Sequence, residues 1–176
     1  VRADRVDEAE RVARRALSRD ERFVPAILAL AKASERRGRK ELADSTLDQA
    51  KDIDANNPEV QFMLGKKFKR DGDLANALTA YRRAVELNPD YAEARMALGI
   101  QFMASGNYDE AVSQFEATAS LVPTLVPAHL NLGDAYRAKR RFQDAKREFD
   151  KALRMQTELP EAHYNLGLSL EQVGQM

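Results

Sequence analysis

Residues 58–91 read PEVQFMLGKKFKRDGDLANALTAYRRAVELNPDY, and a block of the same 34-residue length recurs along the chain. The pair Leu64-Gly65 returns at this period as Leu98-Gly99, Leu132-Gly133 and Leu166-Gly167. No insertion or deletion breaks the register. A period of this length indicates a repeat architecture, in which each unit buries its apolar face only by stacking on its neighbours.

The apolar residues within a block follow helical spacing. Steps of three and four residues run through Leu64 and Phe68, and again through residues 74–85. Between the two runs, Gly72 fits the left-handed conformation that ends a helix, and Asp73 fits the cap of the next helix. Each block is therefore predicted to be a hairpin of two helices, and the chain to contain about ten helices.

The block also resembles the tetratricopeptide repeat family at that family's signature places. In residues 58–91 these places hold Leu64, Gly65, Phe68, Gly72, Ala77, Tyr81, Ala84 and Pro89. The resemblance covers the whole chain and implies an all-α, right-handed superhelical solenoid of antiparallel helix hairpins. It divides one array into the second half of a repeat (1–23), four full repeats (24–57, 58–91, 92–125 and 126–159) and the first half of a repeat (160–176).

Composition and charge exclude several classes of function. The 28 basic and 28 acidic residues give a net charge of zero, which argues against a nucleic-acid partner because phosphate binding requires a basic excess. No stretch of 18 apolar residues is present, so we expect no direct membrane insertion. The chain has no cysteine, no Ser–His–Asp set and no glycine-rich phosphate loop. We therefore predict a protein that is not an enzyme and binds no cofactor; a cysteine-free chain suits both reducing and oxidising compartments.

The two histidines, His129 and His163, lie one repeat length apart. Equivalent positions on neighbouring packed helices are roughly 10 Å apart, whereas two zinc-ligating nitrogens must each lie about 2.1 Å from one ion. We therefore expect no metal site. The two side chains are predicted to pack in the seam between repeats.

The resemblance also implies where a partner binds, because in this family the first helices of the repeats line a concave groove. The groove residues carried over place by place are Leu28, Lys32, Phe62, Met63, Lys66, Lys69, Arg70, Met96, Ile100, Met103, Leu130, Asn131, Arg137, Tyr164 and Asn165. The centre of this set is apolar and rich in methionine, which adapts to varied apolar partners. An amphipathic helix or an extended apolar peptide fits such a groove. The alternative is that these side chains belong to the core.

Basic residues form two clusters in this otherwise neutral chain. One cluster comprises Lys66, Lys67, Lys69 and Arg70, and the other Arg137, Lys139, Arg140 and Arg141. Either they form a solvated helix face, or they recognise acidic residues that flank an apolar peptide anchor.

Taken together, these patterns predict a protein–protein interaction scaffold or adaptor. Two other functions stay open. The first is that of a substrate-binding or regulatory arm of a larger enzyme, and the second is that of a helical repeat that binds RNA. The second alternative needs basic groove residues in most repeats, and Met96, Ile100 and Asp134 interrupt such a line.

The two ends expose apolar helix faces, because residues 3–20 form a second helix without a first and residues 160–173 a first helix without a second. Stacked repeats normally carry polar caps at such faces. Two interpretations follow. Either the native chain continues beyond both ends, or the ends of two molecules meet head to tail, which produces filaments or rings instead of a two-fold dimer.

Overall fold

The computed structural model describes residues 2–174, and the side chains of residues 5–174. Ten α-helices and no strand occupy this part of the chain. They are α1 (Arg2–Leu17), α2 (Val24–Arg36), α3 (Lys40–Ile53), α4 (Pro58–Arg70), α5 (Leu74–Leu87), α6 (Ala92–Ala104), α7 (Tyr108–Leu121), α8 (Val126–Ala138), α9 (Phe142–Met155) and α10 (Pro160–Gly174). The predicted all-α helical-repeat fold is confirmed. Within the described residues, none of the helices combines the length and the apolar character that crossing a bilayer requires.

The helices group into two compact units. The first unit extends to Pro89 and contains α1–α5, and the second begins at Asp90 and contains α6–α10. Antiparallel hairpins form between α2 and α3 and between α4 and α5 in the first unit, and between α6 and α7 and between α8 and α9 in the second.

Each hairpin turns through one residue in the left-handed conformation. The φ angle is +83° at Gly72, and Gly38 and Gly106 have similar values. Arg140 occupies the same place in the fourth repeat with φ 59°, although a side chain disfavours this conformation. After the turn, the Asp73 N–H donates to the carbonyl oxygen of Phe68 at 2.9 Å, which satisfies one of the free carbonyls at the end of α4.

Polar caps and prolines set the helix starts. The Asn57 side chain accepts hydrogen bonds from the N–H groups of Glu59 and Val60 at the start of α4. The Asp73 side chain accepts one from Asn76 at the start of α5, as its place in the sequence predicts. Pro58 is the first residue of α4, where the missing N–H leaves no helical hydrogen bond unmade.

A glycine allows the two helices of a hairpin to cross closely. A Cβ atom on Gly65 would lie 2.5 Å from the ring of Tyr81, and one on Gly99 would lie 2.5 Å from the ring of Phe115. Gly133 meets the ring of Phe149 in the same way, at 2.6 Å. Real Cβ atoms do not approach other atoms so closely, so a side chain at these positions would force the ring or the helix to shift. The two helices of each of these hairpins therefore cross closely at the glycine.

The apolar signature residues fill the core of each unit. In the first unit, Ile27, Leu28, Leu47, Val60 and Leu64 are buried together, with Phe68 packed against them. The second unit buries Ala94, Leu98, Phe102, Ala111, Phe115, Ala128, Leu132, Tyr136, Ala145 and Phe149. Leu98 and Leu132 stand at the repeat place of Leu64, and Phe115 and Phe149 at that of Leu47, so part of the core falls at the same repeat places in both units.

Candidate functional site

In each compact unit, the candidate site is the surface formed by the first helices of its repeats. We call it the first-helix face. In the first unit it belongs to α2 and α4, and in the second unit to α6, α8 and α10. Its residues are those that the resemblance assigned to the groove.

Two of the assigned residues are not accessible to a partner. Leu28 is 1% exposed and Met63 is 6% exposed, and both belong to the apolar core of the first unit. Their assignment to an open groove was wrong, because their helix surfaces turn toward neighbouring helices. Phe62 is half-buried, and its ring centroid lies 5.8 Å from that of Tyr81.

The basic residues of the first unit are held by carboxylates of the same unit. Lys32 pairs with Glu59. Lys66 Nζ lies 2.9 Å from an oxygen of Glu35. These contacts join α2 to α4 across the first-helix face. The second contact also neutralises Lys66, which sequence reasoning offered to an acidic partner.

The other cations of the first basic cluster, apart from Lys69, are also paired with carboxylates of the same unit. Arg70 Nη2 binds both carboxylate oxygens of Asp44, at 2.6 and 2.8 Å. Lys67 Nζ lies 3.4 Å from Asp48. Lys69 is exposed and has no ion pair within the part of the chain that is described. A pocket among α2, α3 and α4 is lined by Lys66, Lys67 and Arg70 and by Glu35 and Asp44, so most of its charges already compensate one another.

The second basic cluster is also largely occupied by contacts within its own unit. Lys139 pairs with Asp109. Arg141 binds Asp144 at 2.7 Å, and its guanidinium carbon lies 4.4 Å from the centroid of the Tyr136 ring. The Tyr136 hydroxyl donates to Glu116; burial, followed by this hydrogen bond, raises the pKa of Tyr136. The cluster therefore stabilises the turn between α8 and α9.

An apolar strip remains accessible on the first-helix face of the second unit. Met96, Ile100, Met103 and Leu130 are half-buried, and Tyr164 on α10 is 68% exposed. These side chains lie outside the set that fills the core of the unit. Because apolar side chains in partial contact with water lose their hydration when a partner covers them, the strip can stabilise a complex.

Amide side chains connect the first helices beneath this strip. Asn131 Nδ2 lies 3.7 Å from the sulfur of Met96 and donates to the carbonyl oxygen of Pro127 at 2.7 Å. Asn165 is 7% exposed, and its Nδ2 donates to Asp134 Oδ1 at 2.9 Å. The assignment of Asn165 to the accessible groove was therefore wrong. Its side-chain amide links α10 to α8 through this hydrogen bond.

Asp134 and Glu161 are two carboxylates of this face that sequence reasoning did not select. Arg137 Nη2 lies 3.5 Å from Asp134 Oδ1, and the Arg137 Nε is buried without a hydrogen-bond partner. Burial raises the pKa of Asp134, the neighbouring Arg137 lowers it, and the charge of Glu161 raises it further. A comparison of charges at equivalent repeat places would have found the pair, because the same places hold Lys32 and Glu59 three repeat lengths earlier in the chain.

The histidines have different surroundings. His129 is 5% exposed, with Nδ1 2.7 Å from a carboxylate oxygen of Glu148 and Nε2 3.0 Å from the carbonyl oxygen of Pro123. It packs in the seam as expected. His163 is exposed, and only its Nε2 is engaged, 3.0 Å from the carbonyl oxygen of Thr157. The prediction of seam packing was wrong for His163, since no described helix follows α10 to cover it.

A metal site has no support in the described side chains. No group of three or more His, Cys, Asp or Glu residues among them is arranged to hold a metal ion.

Two family models match the chain, and both are described as tetratricopeptide repeat. One matches residues 62–125 and 130–176, and the other matches residues 1–66. No curated protein sequence matches.

Solved structures with the same fold include the crystal structure of MamA protein. It is 28% identical, with a TM-score of 0.68, and the alignment covers 88% of this chain and 85% of that one. YrrB, described as a TPR protein with an unusual peptide-binding site, is 27% identical with a TM-score of 0.69, over 92% of this chain and 83% of that one. PilF of Pseudomonas aeruginosa shares the fold at 23% identity with a TM-score of 0.75, over 90% of this chain and 72% of its own.

Proposed function

This chain belongs to the tetratricopeptide repeat family, and from that premise we propose that it is a protein–protein interaction scaffold that binds an apolar or amphipathic peptide segment of a partner. The binding surface in this proposal is the first-helix face of the second unit. Its role is to hold the segment, without catalysis. The peptide-binding site named in the description of YrrB supports this class of partner.

The observation that carries the proposal is the accessible apolar strip of Met96, Ile100, Met103, Leu130 and Tyr164. The core of the second unit is complete without these side chains, because Leu98, Phe102 and their repeat equivalents already fill it. Two of the five are methionines, whose flexible thioethers adjust to partners of different shape. An amphipathic helix or an extended segment can place its apolar side chains on such a strip.

A preformed surface also limits the entropic cost of binding. Two of the helices that carry the strip, α6 and α8, are each packed closely against the second helix of their hairpin at Gly99 and Gly133. Side chains on such a scaffold are partly ordered before a partner arrives, so less free energy opposes association on this side of the complex.

The test is a selection with a phage-displayed library of random dodecapeptides against the folded chain. Peptides that bind are then measured by fluorescence polarisation against the double variant Met96→Glu/Ile100→Glu. We expect affinity to fall roughly a hundredfold or more, since two carboxylates would have to be desolvated against an apolar ligand. Helical circular dichroism should stay unchanged.

A matched control uses apolar residues of second helices in the same unit. Leu121 and Met155 are 38% and 43% exposed, so Leu121→Glu/Met155→Glu adds the same charge away from the strip. This control should bind the selected peptides like the wild type. Equal loss in both double variants, unchanged binding to Met96→Glu/Ile100→Glu, or unfolding of that variant would refute the proposal.

A further inference from the structure

Two equivalent repeat places carry different combinations of charge in the two units. In the first unit, Lys32 on α2 and Glu59 on α4 form an ion pair between consecutive first helices. The same two places recur three repeat lengths later as Asp134 on α8 and Glu161 on α10. A cation–carboxylate pair in one unit is thus a pair of carboxylates in the other.

Asp134 is held in place with one oxygen available. Its Oδ1 accepts from Asn165 Nδ2 at 2.9 Å and lies 3.5 Å from Arg137 Nη2. Its Oδ2 accepts no hydrogen bond from the described residues. The side chain is 26% exposed, so the carboxylate is fixed by its neighbours yet open to solvent on one side.

Glu161 adds a second negative charge on the next first helix, at the repeat place that Glu59 holds against Lys32 in the first unit. Glu161 is exposed and forms no ion pair with any described residue, and its charge disfavours ionisation of Asp134. Like charges at short range cost free energy that an intervening cation recovers. The first unit shows what satisfies these two places, since Lys32 stands there against Glu59.

We infer that the partner supplies this missing cation, as a Lys or Arg side chain that enters between Asp134 and Glu161 beside the apolar strip. This inference rests on the proposed function and specifies its ligand as a basic amphipathic segment. It replaces the expectation of acidic flanking residues, because three of the four cations in the first basic cluster are held by carboxylates of their own unit: Lys66 by Glu35, Lys67 by Asp48 and Arg70 by Asp44.

Charge complementarity over the rest of the face agrees with this ligand. Glu171, about two turns further along α10 than Tyr164, is exposed and also forms no ion pair with any described residue. Arg137 is the only basic residue of α8 and α10 on this face, and Asp134 faces it. A segment with apolar anchors and basic flanks meets both kinds of surface at once.

The experiment compares peptide selection on the wild type with selection on Asp134→Asn/Glu161→Gln, using the same random dodecapeptide library. Peptides selected on the wild type should be enriched in Lys and Arg over the unselected library, together with apolar residues. The enrichment in basic residues should vanish with the double variant, whereas the apolar enrichment should persist. The control Glu110→Gln/Glu158→Gln removes two exposed carboxylates elsewhere in the second unit and should leave both enrichments intact.

A double-mutant cycle then measures the contact. Replacing the basic residue of a selected peptide by Gln should weaken its binding to the wild type about tenfold, and its binding to Asp134→Asn/Glu161→Gln less than about twofold. The variant Asp134→Lys recreates the pair of the first unit inside the chain, so it should lose the preference for basic peptides while remaining folded.

The outcomes separate the inference from the function on which it rests. Selected peptides without basic enrichment, or a preference for basic peptides that survives in both Asp134 variants, would overturn the inference and leave the proposed function standing. Failure to select any peptide that depends on Met96 and Ile100 would overturn the proposed function itself.

Discussion

Replacement of Gly133 by Ala measures how tightly the helices of a hairpin cross. The new Cβ would lie 2.6, 2.8 and 2.9 Å from three atoms of the Phe149 ring, which is completely buried. Carbon atoms in contact prefer separations of about 3.5–4.0 Å, so the ring or the helix must shift by several tenths of an ångström. Overpacking of this kind costs about 1–3 kcal/mol, and the higher helix propensity of Ala returns about 1 kcal/mol. We expect a net loss of about 1 kcal/mol.

Gly167 provides the matched control, because it occupies the same repeat place on α10. A Cβ there meets no described atom within 4 Å, so Gly167→Ala should gain about 1 kcal/mol from helix propensity alone. Urea unfolding followed by far-ultraviolet circular dichroism should therefore separate the two variants by about 2 kcal/mol, the middle of the overpacking range. Equal stabilisation by both substitutions would show that the crossing has room for a methyl group, and would refute the reasoning.

Three further predictions concern single side chains. Arg140→Gly should raise the free energy of unfolding by about 1 kcal/mol, because φ 59° favours glycine. A lower melting temperature for this variant in thermal denaturation would contradict this prediction. His129→Ala should lower the free energy of unfolding by about 1–3 kcal/mol, since the buried carboxylate of Glu148 loses a partner. The midpoint of urea unfolding measures this effect, and an unchanged midpoint would argue against the prediction. Burial raises the pKa of Asp134 above its ordinary 3.8, so the folded state binds the proton more tightly than the unfolded state. Stability should therefore fall as pH rises through the raised pKa, and Asp134→Asn should flatten that part of the pH profile.

The head-to-tail contact of chain ends stays a prediction with its own test. Val12 on α1 is 60% exposed and Leu170 on α10 is 44% exposed. Light scattering over a concentration series should show association if these faces meet between molecules. A monomer up to high micromolar concentration would rule out the contact.

The repeat pattern predicted the fold because each signature residue has one physical task. Gly72 marks a left-handed turn, and this assignment depends only on the residue itself and its spacing. Asp73 caps a helix through an oxygen three residues from its donor. Local requirements of this kind are visible in a sequence, so helix number, turns and core followed from it.

The candidate site was predictable only in part, because accessibility depends on the neighbouring helices. Leu28 and Met63 occupy places that face the groove in the family resemblance, yet here the adjacent helices cover them. Ion pairs between helices, such as Lys66 with Glu35, join residues from different repeats. Their choice of partner depends on side-chain reach, which residue spacing alone does not give.

The local character of the helix contacts has a consequence for how the protein folds during its synthesis. In each unit, helices that touch extensively are consecutive in the chain, as in α4 with α5 and α8 with α9. Forming such a contact brings together segments separated by a short loop, so little loop-closure entropy is lost and folding is fast. During translation, each hairpin can therefore form once its second helix has left the ribosome. The apolar side chains of the early repeats can therefore be buried before the carboxyl-terminal half of the chain is synthesised.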